Sequence, residues 1–171
     1  PKKLEILQIN LGYMCNQVCA HCHVDAGPDR KEIMTLETMQ QCLEVIKNTG
    51  AHTLDLTGGA PEMNPNFKEF VEAAAKAGIK DFIVRSNLTI IRANKKYYEL
   101  PKFFKKHNIH VVSSMPHWTR GKTDKQRGDG VFDKSIKALQ MLNEVGYGRE
   151  GSDLKLDLVY NPSGAFLPGD Q

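Results

Sequence analysis

Hydrophobic and polar positions along the chain switch repeatedly between two periods. Apolar runs or alternations of strand type occur in "EILQIN" (5–10), "HTLDL" (52–56), "DFIVRSN" (81–87), "IHVVSSM" (109–115) and "LKLDLVYNP" (154–162). Helical spacing fills the intervals. Leu36, Met39, Leu43 and Ile46 follow a capping Thr35 and stop at Gly50. Phe67, Phe70, Val71 and Ala74 follow Asn64 as N-cap and Pro65 at the first helical position. A third helix is predicted over 100–107. A fourth lies in "VFDKSIKALQMLNEVG", with Phe132, Ile136, Leu139 and Leu142 facing inward. Five strands alternating with four helices predict an α/β fold with a parallel sheet. In such folds the chemistry belongs to the loops at the C-terminal ends of the strands.

Those loops hold the unusual residues. The first strand is followed by three cysteines, the second by "TGGAPE", the third by Ser86-Asn87 and the fourth by Ser113-Ser114. The remainder of the composition narrows the class without naming it. The 171 residues are 40% hydrophobic and 25% charged with a net charge of +3, an ordinary globular balance. No basic block marks a nucleic-acid face, and no apolar stretch is long enough to span a membrane. "PKKLEILQIN" runs directly into strand-like sequence with no signal-peptide character, so the cytoplasm is the default compartment. There, crowded thiols bind metal or do redox chemistry more often than they form structural disulfides.

Cys15, Cys19 and Cys22 have the spacing C-x₃-C-x₂-C. Short spacings in a flexible loop suit a cubane iron–sulfur cluster or a zinc ion. Zinc would take a fourth ligand from His21 or His23, making the chain a metal-ordered scaffold. The fourth cysteine, Cys42, falls on or beside the apolar stripe of the first helix, where a free thiol packs as a small hydrophobe. Three thiolates on a four-iron cluster leave one iron open to an outside ligand.

With these residues, the loop resembles the signature of the radical S-adenosylmethionine (SAM) enzymes. The resemblance implies a partial (βα)6-type barrel of parallel strands, here cut to about five βα units. It implies a [4Fe–4S] cluster on Cys15, Cys19 and Cys22, with SAM chelating the open iron and cleaved to a 5′-deoxyadenosyl radical. It places His21 against the adenine and the Gly58-Gly59-Ala60 turn on the SAM ammonium. Asn87 and Ser114 would meet the ribose or carboxylate, and Arg127 of "DKQRGDGVF" would pair with the carboxylate or brace its loop. Asn161 is a weaker candidate. In the family's usual turn an acidic residue stands where this chain has Ala60, and Glu62 comes one place late.

A narrower resemblance covers nearly the whole chain. "CNQVCAHCHVDAGPDR", "LTGGAPEMNPNF", "RSNLTI", "DKQRGDGVFDKSI" and "LVYNPSGAFLPGDQ" look like the radical SAM/Cys-rich family associated with arsenosugar biosynthesis. That likeness implies transfer of a deoxyadenosyl group to a methylated arsenical, with flavodoxin or ferredoxin as electron donor. Residues 1–171 would then be the radical SAM core of a longer polypeptide, lacking its sixth strand and Cys-rich C-terminal domain. Pro1 in place of an initiator methionine agrees with trimming. His117 stands where that family is associated with a cysteine or selenocysteine. A peptide-modifying radical SAM maturase is the alternative enzyme, and the zinc scaffold is the non-enzyme alternative.

Overall fold

The computed structural model describes residues 3–20 and 22–160. Five strands, β1 (Ile6–Asn10), β2 (Thr53–Thr57), β3 (Asp81–Ser86), β4 (His110–Ser114) and β5 (Leu156–Val159), form one sheet in chain order. All neighbouring pairs are parallel. Among the described residues, six α-helices connect them: α1 (Leu36–Thr49), α2 (Phe67–Lys76), α3 (Ile90–Ala93), α4 (Leu100–Lys106), α5 (Arg120–Arg127) and α6 (Val131–Val145). Short 3₁₀ turns add Pro61–Met63 and Lys95–Tyr97. The architecture is the expected α/β partial barrel, and the five predicted strands are all present.

Alternation along the strands gives the sheet two unlike faces. Ile9, Leu54, Leu56, Phe82, Val84 and Val111 point to the helices and join one core with Met39, Ile46, Phe67, Phe70 and Phe104. Their neighbours on the other face are Gln8, Asp55, Arg85, His110, Val112 and Asp157. Among the described residues no helix covers that second face with a core, and polar side chains line it together with Ile83, Val112 and Val159.

Local chemistry explains the helices. Thr35 caps α1, its hydroxyl accepting from Thr38 N–H at 3.3 Å, and left-handed Gly50 closes it through Ile46 O. Met39 and Ile46 are buried, whereas Leu36 is exposed at the helix entry. α2 buries Phe67, Phe70, Val71 and Ala74 as expected. Its cap differs from the expectation. Asn66 is the N-cap, and Asn64 Oδ1 accepts from Asn66 N–H while its amide donates to Leu11 O and Met34 O, each at 3.0 Å. Asn64 thus ties the start of α2 to the loop after β1.

Two further expectations are corrected. The inward face of α6 is Val131, Ser135, Ala138 and Leu142, with Phe132, Ile136 and Leu139 only half-buried. Smaller residues sit centrally because α6 also packs against α3, α4 and α5. α5 is absent from the sequence reading: it is polar throughout and buries only Thr123, so no apolar stripe announces it. Tertiary hydrogen bonds hold it instead. Thr123 Oγ1 donates to His117 O at 2.6 Å, and Asp124 accepts from Phe132 N–H at 2.8 Å and Gly130 N–H at 3.2 Å, capping α6.

Candidate functional site

A cavity of about 520 Å³ opens at the C-terminal ends of the strands and runs down the uncovered face of the sheet. Cys15, Cys19 and Cys22 all line it. Their loop is fixed from three sides. The backbone after β1 continues beside the β2 turn, with Gly59 N–H donating to Gly12 O at 3.0 Å and Ala60 N–H to Met14 O at 2.8 Å. The loop folds back on itself through Cys15 N–H to Gly27 O and Gly27 N–H to Tyr13 O, both 3.1 Å. Ala20 N–H reaches Gln126 O of α5 at 3.1 Å.

The glycines of the β2 turn are required by this docking. Gly58 has φ +132°, and a Cβ there would stand 2.5 Å from Gly12 O and 2.9 Å from Asn10 Oδ1. A Cβ on Gly59 would run into Met14 O. Glycine therefore lets the turn approach the cysteine loop itself, a reason the sequence reading, which looked to a ligand, did not contain. Gly58 and Gly59 also line the cavity. Ala60 lies behind them, 3% exposed, with its carbonyl accepting from Met63 N–H at 2.9 Å.

Asn87 follows β3 and is buried against the same loop. Its Nδ2 donates to Cys15 Sγ at 3.4 Å and to Asn16 Oδ1 at 2.8 Å. Its Oδ1 accepts from Thr89 Oγ1 at 3.1 Å and Ile90 N–H at 3.0 Å. Two donors and two acceptors are the whole capacity of an amide, so Asn87 is fully engaged as a brace for the first cysteine. Asn16 completes the brace by donating to Thr89 Oγ1 at 2.8 Å. Neither Asn16 nor Thr89 carries a signal in sequence beyond polarity, because the network closes only in three dimensions.

Arg127, at the end of α5, donates through Nη2 to Gln17 Oε1 at 2.7 Å, across the cavity mouth. Its Nε and the Nε2 of Gln17 are buried without a partner among the described residues. Ser114 lines the wall at the end of β4. His21 and Asn161 lie outside the described residues. His117 does not line the cavity. Its Nδ1 accepts from Thr119 N–H at 3.0 Å, its ring stacks on Trp118, and its carbonyl receives Thr123, so it organises the entry to α5. Cys42 is half-buried against the core and away from the cavity.

Electrostatics of the loop follow from burial. Desolvation raises the Cys15 pKa, opposed by the Gln17 backbone N–H and the Asn87 amide. Cys19 is also raised by desolvation, and the Arg127 guanidinium pulls it back. Ala26 N–H donates to Cys22 Sγ at 3.2 Å. Among the described residues no three His, Cys, Asp or Glu side chains lie close enough to hold a single metal ion. Those residues leave out His21, so three cysteine thiols on one cavity suit a cubane iron–sulfur cluster as well as a zinc ion. The unpartnered Arg127 and Gln17 nitrogens beside them suit a carboxylate-bearing ligand next to such a centre.

Behind the turn, Glu62 is 5% exposed, and among the described residues neither carboxyl oxygen has a hydrogen-bond partner. Burial pushes its pKa up to about 7, with the nearby Ser86 hydroxyl and its own backbone N–H opposing.

Comparison with known proteins agrees with the site. The Radical SAM superfamily model matches residues 9–155. The subtilosin biosynthesis protein AlbA of Bacillus subtilis is 28% identical over 137 residues, 80% of this chain and 30% of that protein. A probable GTP 3′,8-cyclase of Saccharolobus islandicus is 26% identical over 161 residues, 94% of this chain and 49% of that protein. Among solved structures, Streptococcus suis SuiB bound to S-adenosylmethionine superposes with a TM-score of 0.69 at 20% identity. That match covers 91% of this chain and 33% of SuiB. The chain thus spans about half or less of the length of the relatives it matches. No helix among the described residues is long and apolar enough to cross a membrane.

Proposed function

The chain belongs to the radical SAM superfamily, and from that premise we propose that its cavity is the place where SAM is cleaved and a substrate radical is formed. The family's cofactors, a [4Fe–4S] cluster and SAM, are those of this chain. The observation that carries the assignment of residues is the convergence of Cys15, Cys19 and Cys22 with the Gly58-Gly59 turn on one cavity. When bound, the cluster supplies one electron to the SAM sulfonium, breaking a carbon–sulfur bond to give methionine and a 5′-deoxyadenosyl radical.

The chain's own residues bind, orient and insulate. Cys15, Cys19 and Cys22 hold the cluster, each losing a proton that burial otherwise favours keeping on Cys15 and Cys19. Asn87, Asn16 and Thr89 fix the height of Cys15. Gly58 and Gly59 offer backbone carbonyls to the SAM ammonium, and Ala60 holds the turn from behind. Arg127 Nε and Gln17 Nε2, buried and unpartnered, receive the SAM carboxylate. Ser114 serves the ribose, and His21 the adenine.

Radical modification of a peptide is the substrate reading that two of the relatives support, AlbA being named for bacteriocin biosynthesis and SuiB being known bound to precursor peptide SuiA, whereas the GTP 3′,8-cyclase is named for a nucleotide. Deoxyadenosyl transfer to a methylated arsenical rests on the sequence blocks alone and draws no support from these relatives. Either reaction takes place in the cytoplasm with a flavodoxin or ferredoxin as electron donor. Residues 1–171 act as the core of the catalytic domain. Anaerobic, iron- and sulfide-loaded protein with SAM and dithionite should release 5′-deoxyadenosine and methionine. Absence of both from brown, cluster-loaded protein would overturn the proposal. Deuterium moving from a labelled peptide into 5′-deoxyadenosine selects the peptide reading, whereas an arsenic–adenosyl adduct from dimethylarsenite selects the other.

A further inference from the structure

The uncovered face of the sheet carries a built side-chain array that the cofactors do not account for. Asp55, in the middle of β2, is 4% exposed. It accepts from Gln8 Nε2 of β1 at 2.6 Å on Oδ2. From β3, Arg85 Nε approaches Oδ1 at 3.0 Å and Oδ2 at 3.2 Å, and Arg85 Nη2 reaches Oδ2 at 2.8 Å. This is a side-on pairing, using the Nε/Nη2 edge of the guanidinium. Arginine has five N–H donors in a rigid fork with two edges. The end-on edge of Arg85, one N–H from Nη1 and the second from Nη2, has no partner among the described residues. Arg85 lines the cavity and its side chain is 47% exposed.

Arg85 and Arg127 line the cavity, and among the described residues no Asp or Glu does. Asp55 offsets the charge of Arg85 from underneath, so what Arg85 offers a ligand is a fixed donor edge rather than an excess of positive charge. A fixed, planar, end-on edge is the geometry that takes a carboxylate or phosphate by two parallel hydrogen bonds. Arg85 lies two residues before Asn87, the brace of Cys15, so at ~3.3 Å per residue the anchor is about 6–7 Å below the rim.

We propose that Arg85, held by Asp55 and Gln8, is the oxyanion anchor of the substrate, receiving a carboxylate or phosphate on its end-on edge. The proposal rests on the cavity being the SAM-cleaving site, and its test separates the two. Equilibrium dialysis of the anaerobic, iron-loaded chain is carried out with labelled inorganic phosphate, labelled acetate and, separately, labelled SAM. Iron content is measured on the same samples. Saturable binding of phosphate or acetate is expected, weakened tenfold or more in R85M, with SAM affinity changed less than twofold. R85K should fall between, because an ammonium cannot present two parallel donors. R85M leaves Asp55 buried without its cation, so D55N/R85M carries the same test with the charge removed. Tighter binding of phosphate indicates a phosphorylated substrate, and tighter binding of acetate a carboxylate such as an acidic peptide side chain. Unchanged probe affinity in the variants overturns the proposal, as does absence of saturable binding to the unaltered chain. A parallel loss of SAM affinity also overturns it, by assigning Arg85 to the carboxylate of SAM. Failure to take up iron or SAM with probe binding retained fails the cofactor reading and leaves the anchor standing.

Discussion

The two faces of the sheet are built from alternate residues of the same five strands and have opposite chemistry. On the helix side, Leu54, Leu56, Val84 and Val111 are fully buried. On the other side, Asp55 and Arg85 form an ion pair and His110 Nε2 meets Asp157 Oδ2 at 2.8 Å. Parallel sheets are normally buried on both faces and read as continuous apolar runs. Polar pairs set among Ile83, Val112 and Val159 on an uncovered face suit a ligand better than a second core. On the proposed function, stability resides in one set of strand positions and ligand binding in the interleaved set. The cysteine loop closes the top of the functional side.

The sharpest way to break this division is at the rim. Cys15→Ala, Cys19→Ala and Cys22→Ala should each abolish stable cluster binding, read as iron and sulfide per chain and as absorbance near ~400 nm. Cys42→Ala, on the helix side, should keep the full complement. Full iron in a Cys19→Ala protein would remove the basis for placing function on this face.

Glu62 crosses the division, a carboxyl enclosed behind the rim. Its folded pKa of about 7 lies above the usual carboxylate value of 4.5. A raised acid pKa means the folded state binds the proton more tightly than the unfolded state. The neutral carboxyl is accommodated in full below pH ~4.5, and stability is lost as pH rises through about 7. The shift corresponds to roughly 3 kcal/mol at most. Glu62→Gln should flatten this slope and raise urea stability at pH 8 by about 2–3 kcal/mol, with little change at pH 4. An equal effect of the substitution at both pH values would show that Glu62 is not held neutral by burial.

Adjacent valines on β4 give the most direct comparison. Val111 is fully buried on the helix side, and Val112 lines the cavity. The same truncation should cost about 2–3 kcal/mol at Val111 and under ~1 kcal/mol at Val112, read by urea unfolding. Equal costs would mean that the cavity side is packed like a core.

Much of the helix side was legible in sequence, because burial leaves a periodic trace. Phe67, Phe70, Val71 and Ala74 fall on one stripe of α2 and are the residues it buries. The cysteine spacing was equally plain. Gln8, Asp55 and Arg85 were also readable, as polar residues at alternate places in apolar strands, but that trace gains meaning only once the register aligns Gln8 with Asp55. Other features have no linear signature. The saturation of the Asn87 amide depends on Asn16 and Thr89, which arrive from different loops. Gly58 and Gly59 are glycine because the cysteine loop passes over them, and turn composition alone cannot tell a backbone neighbour from a ligand.

The smallest effect tests how the cavity wall is held where no apolar stripe exists. α5 buries only Thr123 yet presents Arg127 to Gln17 at the mouth, so its position must come from polar contacts. Asp124 makes two of them. Its two carboxylate oxygens take the N–H groups of Gly130 and Phe132, at 3.2 and 2.8 Å, where α6 would otherwise start with unsatisfied donors. A carboxylate there also faces the positive end of the α6 dipole. Asp124→Ala removes both effects, and a lost N-terminal cap costs about 1 kcal/mol. Asp124→Asn keeps one acceptor oxygen and should recover roughly half of that. Urea unfolding reads the stability. Amide exchange at Ala20, whose N–H is bonded to Gln126 O, reads whether α5 still closes the rim. Faster exchange at Ala20 in Asp124→Ala, with exchange in β2 and β3 unchanged, is the expected result. A full 1 kcal/mol loss with protection at Ala20 intact would show that α5 is held by its other contacts, Thr123 on the His117 carbonyl, Arg127 on Gln17 and Arg120 on Asp133, and that the cavity wall does not depend on the α6 cap.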